Sequence, residues 1–291
     1  MAPATVSTKR LDFEVLAAAP DDRDRPLALC LHGFPDSADS WTSSMARLER
    51  AGYRAVAPYQ RGYAPTPVPS DGYYQTAALA RDANALHDAL GGDERAVVIG
   101  HDWGAMAAYG AVIDAPERWR AIVGLAVPPG ATLARSFFSY DQLQRSWYMF
   151  FFQHPLADLA VPADDLAFVD RLWADWSPGY AAGSAVEAAK SCLRDPASLA
   201  AALGYYRAAL GAGPQDPELT DLQQRMYEPL PRPALYLHGA TDGCVGLDVA
   251  AGAAEAMPVA GSRVEVIDGA GHFLHLEKPG EVEDAILGFI S

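Results

Sequence analysis

Short apolar runs alternate along the chain with longer segments in which apolar residues recur every three or four positions. The runs predict strands at 11–17, 27–31, 53–57, 95–99, 120–126, 234–237 and 263–267. The longer segments predict helices, the first of them capped by Ser40, at 40–51, 75–90, 105–113 and 281–290. Strands that alternate with helices favour an α/β fold with a mostly parallel central sheet flanked by helices.

This alternation stops between residues 130 and 229, where no strand pattern occurs. Aromatic and apolar residues recur there at helical spacing, which predicts helices at 146–153, 166–176, 183–193 and 196–210. We therefore expect a core domain built from residues 1–129 and 230–291, with a helical cap inserted at 130–229.

Composition narrows the functional classes. The chain has 291 residues, half of them hydrophobic, and a formal net charge of −15, so we expect no nucleic-acid or membrane partner. Its three cysteines and seven histidines show no metal-ligand spacing, and we expect no metal and no cofactor. The first ten residues lack an apolar secretory signal and no apolar run approaches about 18 residues, which favours a soluble cytoplasmic protein. The oligomeric state stays open.

The most informative segment follows the predicted strand at 95–99, which runs into the sequence GHDWG. Gly-x-Asp-x-Gly between a strand and a helix is typical of a nucleophile elbow, a sharp turn that exposes one side chain above the sheet. The central residue is Asp102 rather than serine. A carboxylate can displace a leaving group from an sp3 carbon and form an ester with the enzyme. The alternative is an ordinary loop in which Asp102 caps the next helix.

Two further loops carry matching chemistry. The predicted strand at 234–237 is followed by Asp242, and the strand at 263–267 is followed by His272. Each residue comes just after a strand, at the sheet edge where open α/β folds bind ligands. Nucleophile, acid and histidine therefore occur in the order Asp102, Asp242, His272, which is the order found in α/β hydrolases.

Together with the sequence HGFP at 32–35, these motifs resemble the α/β-hydrolase fold family over nearly the whole chain. Within that family they look like the soluble, cap-bearing epoxide hydrolases, with haloalkane dehalogenases as close cousins. The resemblance implies that Asp102 attacks a small-molecule epoxide, and that His272, oriented by Asp242, activates the water that hydrolyses the ester. It also implies that the backbone N–H groups of Phe34 and Trp103 stabilise the oxyanion.

The resemblance further implies two cap tyrosines that donate hydrogen bonds to the epoxide oxygen. Tyr206, in the sequence LGYYR, matches one of them, and we interpret its neighbour Tyr205 as a packing residue. Phe151 stands at the second position, and Tyr148, one helical turn earlier, is the candidate replacement. We expect the substrate pocket to be lined by Tyr148, Phe151, Trp103 and Phe34. The aromatic cap favours an apolar or aromatic epoxide.

Two other functions remain open from the sequence. In a haloalkane dehalogenase, Trp103 would donate to the halide, but Phe34 lacks the side-chain donor that those enzymes typically carry at its position. A non-catalytic binding protein of the same fold would have no need for Asp102, Asp242 and His272 together. The sequence does not determine the substrate, nor the regio- and stereoselectivity of ring opening.

Overall fold

The computed structural model describes residues 2–19, 22–211 and 213–291. Within them, one sheet has the spatial order β1-β2-β4-β3-β5-β6-β7-β8. β2 pairs antiparallel with β1 and β4, and all other pairs are parallel. The predicted α/β class is confirmed. The strands are β1 (Ala2–Ser7), β2 (Asp12–Ala17), β3 (Leu27–Leu31), β4 (Arg54–Pro58), β5 (Val97–His101), β6 (Ala121–Leu125), β7 (Ala234–Gly239) and β8 (Arg263–Ile267).

Helices cover both faces of this sheet, because the central strands β3 to β7 are buried along their whole length and apolar on both sides. The first three helices are α1 (Thr42–Arg50), α2 (Thr76–Ala89) and α3 (Trp103–Asp114). α2 and α3 pack together over one face. α1 packs over the other face, together with the C-terminal helix.

Among the residues that the structure describes, the segment between β6 and β7 consists of helices joined by turns and loops and contains no strand. Its helices are α4 (Gly130–Ser136), α5 (Tyr140–Arg145), α6 (Trp147–Phe151), α7 (Ala157–Ala160), α8 (Ala163–Trp176), α9 (Gly183–Leu193), α10 (Pro196–Ala209) and α11 (Thr220–Arg225). Asp164, Asp165 and Leu166 have positive φ values inside α8, so the regular right-handed helix begins after them. The chain then closes with α12 (Leu247–Ala250), α13 (Leu274–Glu277) and α14 (Pro279–Ile290).

Hydrogen bonds attach this helical segment to loops at the carboxyl edge of the sheet. The Trp173 indole donates to the Pro35 carbonyl at 2.8 Å, and the Tyr205 hydroxyl donates to the Arg61 carbonyl at 2.9 Å. The segment therefore lies over the edge where Asp102, Asp242 and His272 emerge. No helix among the described residues is both long and apolar enough to cross a membrane.

Two sequence expectations need correction. Ser40 does not cap the first helix: Ser37 accepts from the Asp39 amide and opens a short 3-10 turn, Ala38–Trp41, and α1 begins only after it. The antiparallel edge strand β1 was not predicted. It pairs with β2 alone, and such an edge strand needs no continuous apolar run to form.

Candidate active site

Asp102 occupies a strained turn between β5 and α3, with φ 54° and ψ −119°. An L-residue rarely adopts this conformation, and it persists only where the surrounding structure enforces it. The loop after β3 comes close enough that a Cβ at Gly33 would collide with the Asp102 carboxylate. Only glycine permits this approach, which places the Phe34 amide 2.8 Å from Asp102 Oδ1 as a hydrogen-bond donor.

His272 lies between two carboxylates. Its Nδ1 donates to Asp242 Oδ2 at 2.9 Å, and its Nε2 lies 3.7 Å from Asp102 Oδ2. The other oxygen of Asp242 accepts from the amides of Cys244 and Val245, at 2.7 and 2.9 Å. The structure thus brings together three buried side chains that the sequence places far apart.

The electrostatics follow from this geometry. Burial alone would lower the pKa of His272, but the neighbouring Asp242 and Asp102 carboxylates outweigh it and raise that pKa to about 10. Burial alone would likewise raise the pKa of Asp242, but the charge of His272 and the hydrogen bond from its ring hold it below its ordinary value. At neutral pH, His272 is therefore an imidazolium in this resting arrangement.

A cavity of about 260 Å³ lies directly above Asp102. Trp103 bounds it from the core, Tyr148 and Tyr206 bound it from the helical segment, and Cys244 bounds it from the loop after β7. The rest of its wall is mostly apolar, with Met106 from α3, Leu133 from α4 and Met226 from the chain just after α11. An apolar wall with a few convergent polar groups is typical of a small-molecule site.

Tyr148 and Tyr206 lie side by side in this wall, with ring centroids 5.5 Å apart. The Tyr206 hydroxyl is buried and finds no hydrogen-bond partner among residues 2–19, 22–211 and 213–291. The Tyr148 hydroxyl lies 3.3 Å from Cys244 Sγ. Burial raises the pKa of both tyrosines well above the ordinary value, and the charge of Asp102 raises it further. Both hydroxyls therefore keep their protons and can donate.

Two of the side chains expected in the pocket do not bound the cavity. Phe151 packs against α8 instead, where its ring stacks on Phe168 with the centroids 5.9 Å apart. Phe152 lies on the same side of the helix as Tyr148, because the two residues are four positions apart. Phe34 packs its ring 5.2 Å from Tyr206 and reaches the site through its amide. Phe151 therefore packs against α8 in this structure, and its contact with substrate stays a prediction.

Two features of the site were not found from the sequence. One is Cys244, whose thiol contacts the Tyr148 hydroxyl, and the other is a buried cluster behind the site. Asp36 Oδ2 lies 3.6 Å from His101 Nδ1 and 4.0 Å from His275 Nε2. These residues lie at the ends of different strands or beyond them, so no sequence spacing could indicate the cluster. Ligands of a tetrahedral zinc ion are ~3.3 Å apart, given Zn–N distances of about 2.0–2.1 Å, and this cluster is wider. His101 Nε2 lies 3.0 Å from the His272 carbonyl oxygen.

The fold and the site together define an enzyme of the α/β-hydrolase class, and the family model described as alpha/beta hydrolase fold matches residues 26–279. The chain is 31% identical to Epoxide hydrolase A of Mycobacterium tuberculosis, covering 91% of this chain and 90% of that protein. It is 28% identical to Epoxide hydrolase 1 of Caenorhabditis elegans, covering 92% of this chain but only 65% of that longer protein.

A solved structure gives the same result. The crystal structure of Epoxide Hydrolase A from Mycobacterium thermoresistibile matches with a TM-score of 0.82 at 27% identity, covering 99% of this chain and 97% of that one. The chain therefore belongs to the epoxide hydrolases, a family of hydrolases within the α/β-hydrolase fold.

Proposed function

We propose that this protein opens an apolar or aromatic epoxide to a vicinal diol in two steps that share the Asp102 carboxylate. One observation carries the proposal: Asp102 and Tyr206, whose hydroxyl has no partner within the described residues, line the same mostly apolar cavity. Ring opening needs an ionised nucleophile on one side of the epoxide carbon and a donor for the departing oxygen. The relatives named as epoxide hydrolases support the same reaction.

In the first step, Asp102 Oδ2 attacks an epoxide carbon, because Oδ1 is already engaged by the Phe34 amide. The C–O bond of the ring breaks, and the ring oxygen accepts hydrogen bonds from Tyr206 and Tyr148. Tyr206 gives its proton to that oxygen. His272 then gives up its own proton, which restores the Tyr206 hydroxyl. We propose that residues 130–229 act as the cap that supplies these donors, and that residues 1–129 and 230–291 form the catalytic core.

In the second step, His272 acts as the base. Formation of the ester removes the negative charge of Asp102, so the pKa of His272 falls and the neutral imidazole can take a proton from water. The resulting hydroxide attacks the ester carbonyl. We assign the amides of Phe34 and Trp103 to the oxyanion. Collapse breaks the ester C–O bond, and the departing alkoxide takes the proton of the hydroxyl just added, which releases the diol and leaves Asp102 ionised. His272 keeps the proton it took from water, and Asp242 stabilises the resulting imidazolium of the resting state.

Trapping the ester tests this function. His272→Gln keeps the nucleophile but removes the base, so styrene oxide should leave a covalent adduct whose mass gain equals that of the epoxide. Intact-protein mass spectrometry measures the gain, and the double variant Asp102→Ala/His272→Gln is the matched control that should gain nothing. A His272→Gln protein that turns over normally with no adduct would contradict the proposal.

One observation favours a second candidate, haloalkane dehalogenation. The Trp103 indole N–H is buried, has no partner in the described part of the chain, and belongs to a residue that bounds the cavity. It could therefore donate to a departing halide. Incubation of the His272→Gln variant with a bromoalkane separates the two functions. Dehalogenation predicts bromide release and an adduct lighter than the substrate by hydrogen bromide.

A further inference from the structure

Cys244 lines the same cavity as Asp102. The residue is only 3% exposed, and its Sγ lies 3.3 Å from the Tyr148 hydroxyl, within hydrogen-bond range for sulfur. Its backbone is fixed on both sides: its amide donates to Asp242 Oδ1 at 2.7 Å, and its carbonyl accepts from Gln142 Nε2 at 2.9 Å. The sulfur is therefore held in place beside Tyr148.

The thiol and the Tyr148 hydroxyl both keep their protons, so either atom can donate in this contact. Burial raises the pKa of the Cys244 thiol, and the charges of Asp242 and Asp102 raise it further. The sulfur therefore keeps its proton, and once an epoxide oxygen accepts the Tyr148 hydrogen, the thiol is the donor that remains for the Tyr148 oxygen. A phenol hydrogen prefers the plane of its ring and so has two favoured positions. A thiol that donates from one side leaves the hydrogen on the other side.

We propose that Cys244 is a positioning residue for ring opening, which orients the Tyr148 hydroxyl toward the epoxide oxygen. The two tyrosines then differ in how they are prepared for the reaction. Tyr206 has no partner among the described residues, whereas Tyr148 is held by a thiol whose loop also carries Asp242. This inference rests on the proposed function, since it assigns a role within that reaction.

Gln142 reinforces the arrangement from the helical segment. It is buried, donates to the Cys244 carbonyl, and accepts from the Gly246 amide at 2.9 Å. Arg145 donates to the Asp242 carbonyl, also at 2.9 Å. α5 is thus attached to the loop of Asp242, and it leads directly into α6, which carries Tyr148. The thiol and the hydroxyl are therefore held at a defined separation.

The test measures the rate at which styrene oxide alkylates Asp102 in a single turnover, with His272→Gln as the parent. Cys244→Ala should slow alkylation about fivefold to tenfold, in line with the loss of one neutral hydrogen bond. Cys244→Ser keeps a donor at this position and should stay within about twofold of the parent. Cys192→Ala, which removes an equally buried thiol of α9 that does not bound the cavity, should change nothing.

A double-mutant cycle distinguishes positioning of Tyr148 from a general effect on the loop. In a Tyr148→Phe background, Cys244→Ala should cause no further slowing. A Cys244→Ala rate equal to that of the parent overturns the inference, as does undiminished slowing in the Tyr148→Phe background or failure of serine to rescue.

Two further outcomes complete the test. If Cys244→Ala does not fold, the alkylation rate of Tyr148→Phe tests the inference instead. A Tyr148→Phe variant that alkylates as fast as the parent means that Tyr148 is not a donor, so that Cys244 has nothing to position. If the parent itself forms no adduct with the epoxide, the proposed function fails first, and the positioning role fails with it. An alkylating parent with an equally fast Cys244→Ala variant refutes the positioning role alone.

Discussion

The adjacent residues Tyr205 and Tyr206 offer a matched pair of substitutions with opposite expected effects. Both are fully buried on α10, and each loses only a hydroxyl when changed to phenylalanine. Tyr206 lines the cavity, and no described residue accepts from or donates to its buried hydroxyl. Tyr205 donates to the Arg61 carbonyl at 2.9 Å. One hydroxyl is therefore available for catalysis, and the other is used for folding.

The structure sets the expected magnitudes. Removing one preorganised donor to a developing oxyanion typically costs ~10²–10³ in rate, so Tyr206→Phe should slow alkylation by about that factor. The same change removes a buried hydroxyl that lacks a partner, so the free energy of unfolding should rise by about 1 kcal/mol. Tyr205→Phe leaves the Arg61 carbonyl without its donor, and the free energy of unfolding should fall by about 1–2 kcal/mol while alkylation is unchanged.

Two assays on the same samples decide the matter. Quenched-flow mass spectrometry on the His272→Gln parent measures alkylation, and urea unfolding measures stability. If Tyr206→Phe alkylates as fast as the parent, Tyr206 is only a packing residue. If it loses more than about 1 kcal/mol of stability, its hydroxyl has a partner in solution and the reasoning from an unpaired donor is refuted.

Three further predictions follow from the site. Asp102→Ala should abolish turnover of styrene oxide; activity within about tenfold of wild type, or ~1.4 kcal/mol in barrier, contradicts the nucleophile assignment. The folded-state pKa of His272 is raised from 6.5 to about 10. Its contribution to the free energy of unfolding is therefore complete below pH 6.5 and is lost as the pH rises toward 10. The loss is at most about 1.4 kcal/mol per pH unit. Urea unfolding should show this slope, and Asp102→Ala should flatten it; an unchanged slope would exclude Asp102 as a cause of the shift. Phe151→Tyr should leave the alkylation rate within about twofold of the parent, since residue 151 stacks on Phe168 outside the cavity. A large gain in rate would show that the side chain at position 151 reaches the substrate.

The catalytic loops were predictable because local patterns and sheet geometry agree. Each of Asp102, Asp242 and His272 follows an apolar strand, and parallel neighbouring strands end at the same edge, so side chains distant in sequence converge. The antiparallel edge strand β1 had no such signal, because its sequence APATVS contains no run of large apolar residues and it pairs on one side only.

The face of α6 that meets the cavity was not predictable. Tyr148, Phe151 and Phe152 all lie within one turn, and helical periodicity alone cannot choose between spacings of three and four. The choice depends on Phe168 of α8, whose ring stacks on the ring of Phe151. The thiol partner of Tyr148 was equally hidden, because Cys244 lies 96 residues further along the chain.

The Trp176 carbonyl, at the end of α8, accepts from the amides of both Gly243 and His272, each at 3.0 Å. A Cβ at Gly243 would run into the carbonyl of Asp175. The inserted helices and the catalytic loops are therefore not separable modules. Chimeric enzymes that exchange residues 130–229 to change substrate range should retain this carbonyl and the glycine that faces it. A graft that omits them would remove the hydrogen bonds that hold the loops of His272 and Asp242, although it was designed to change only the substrate pocket.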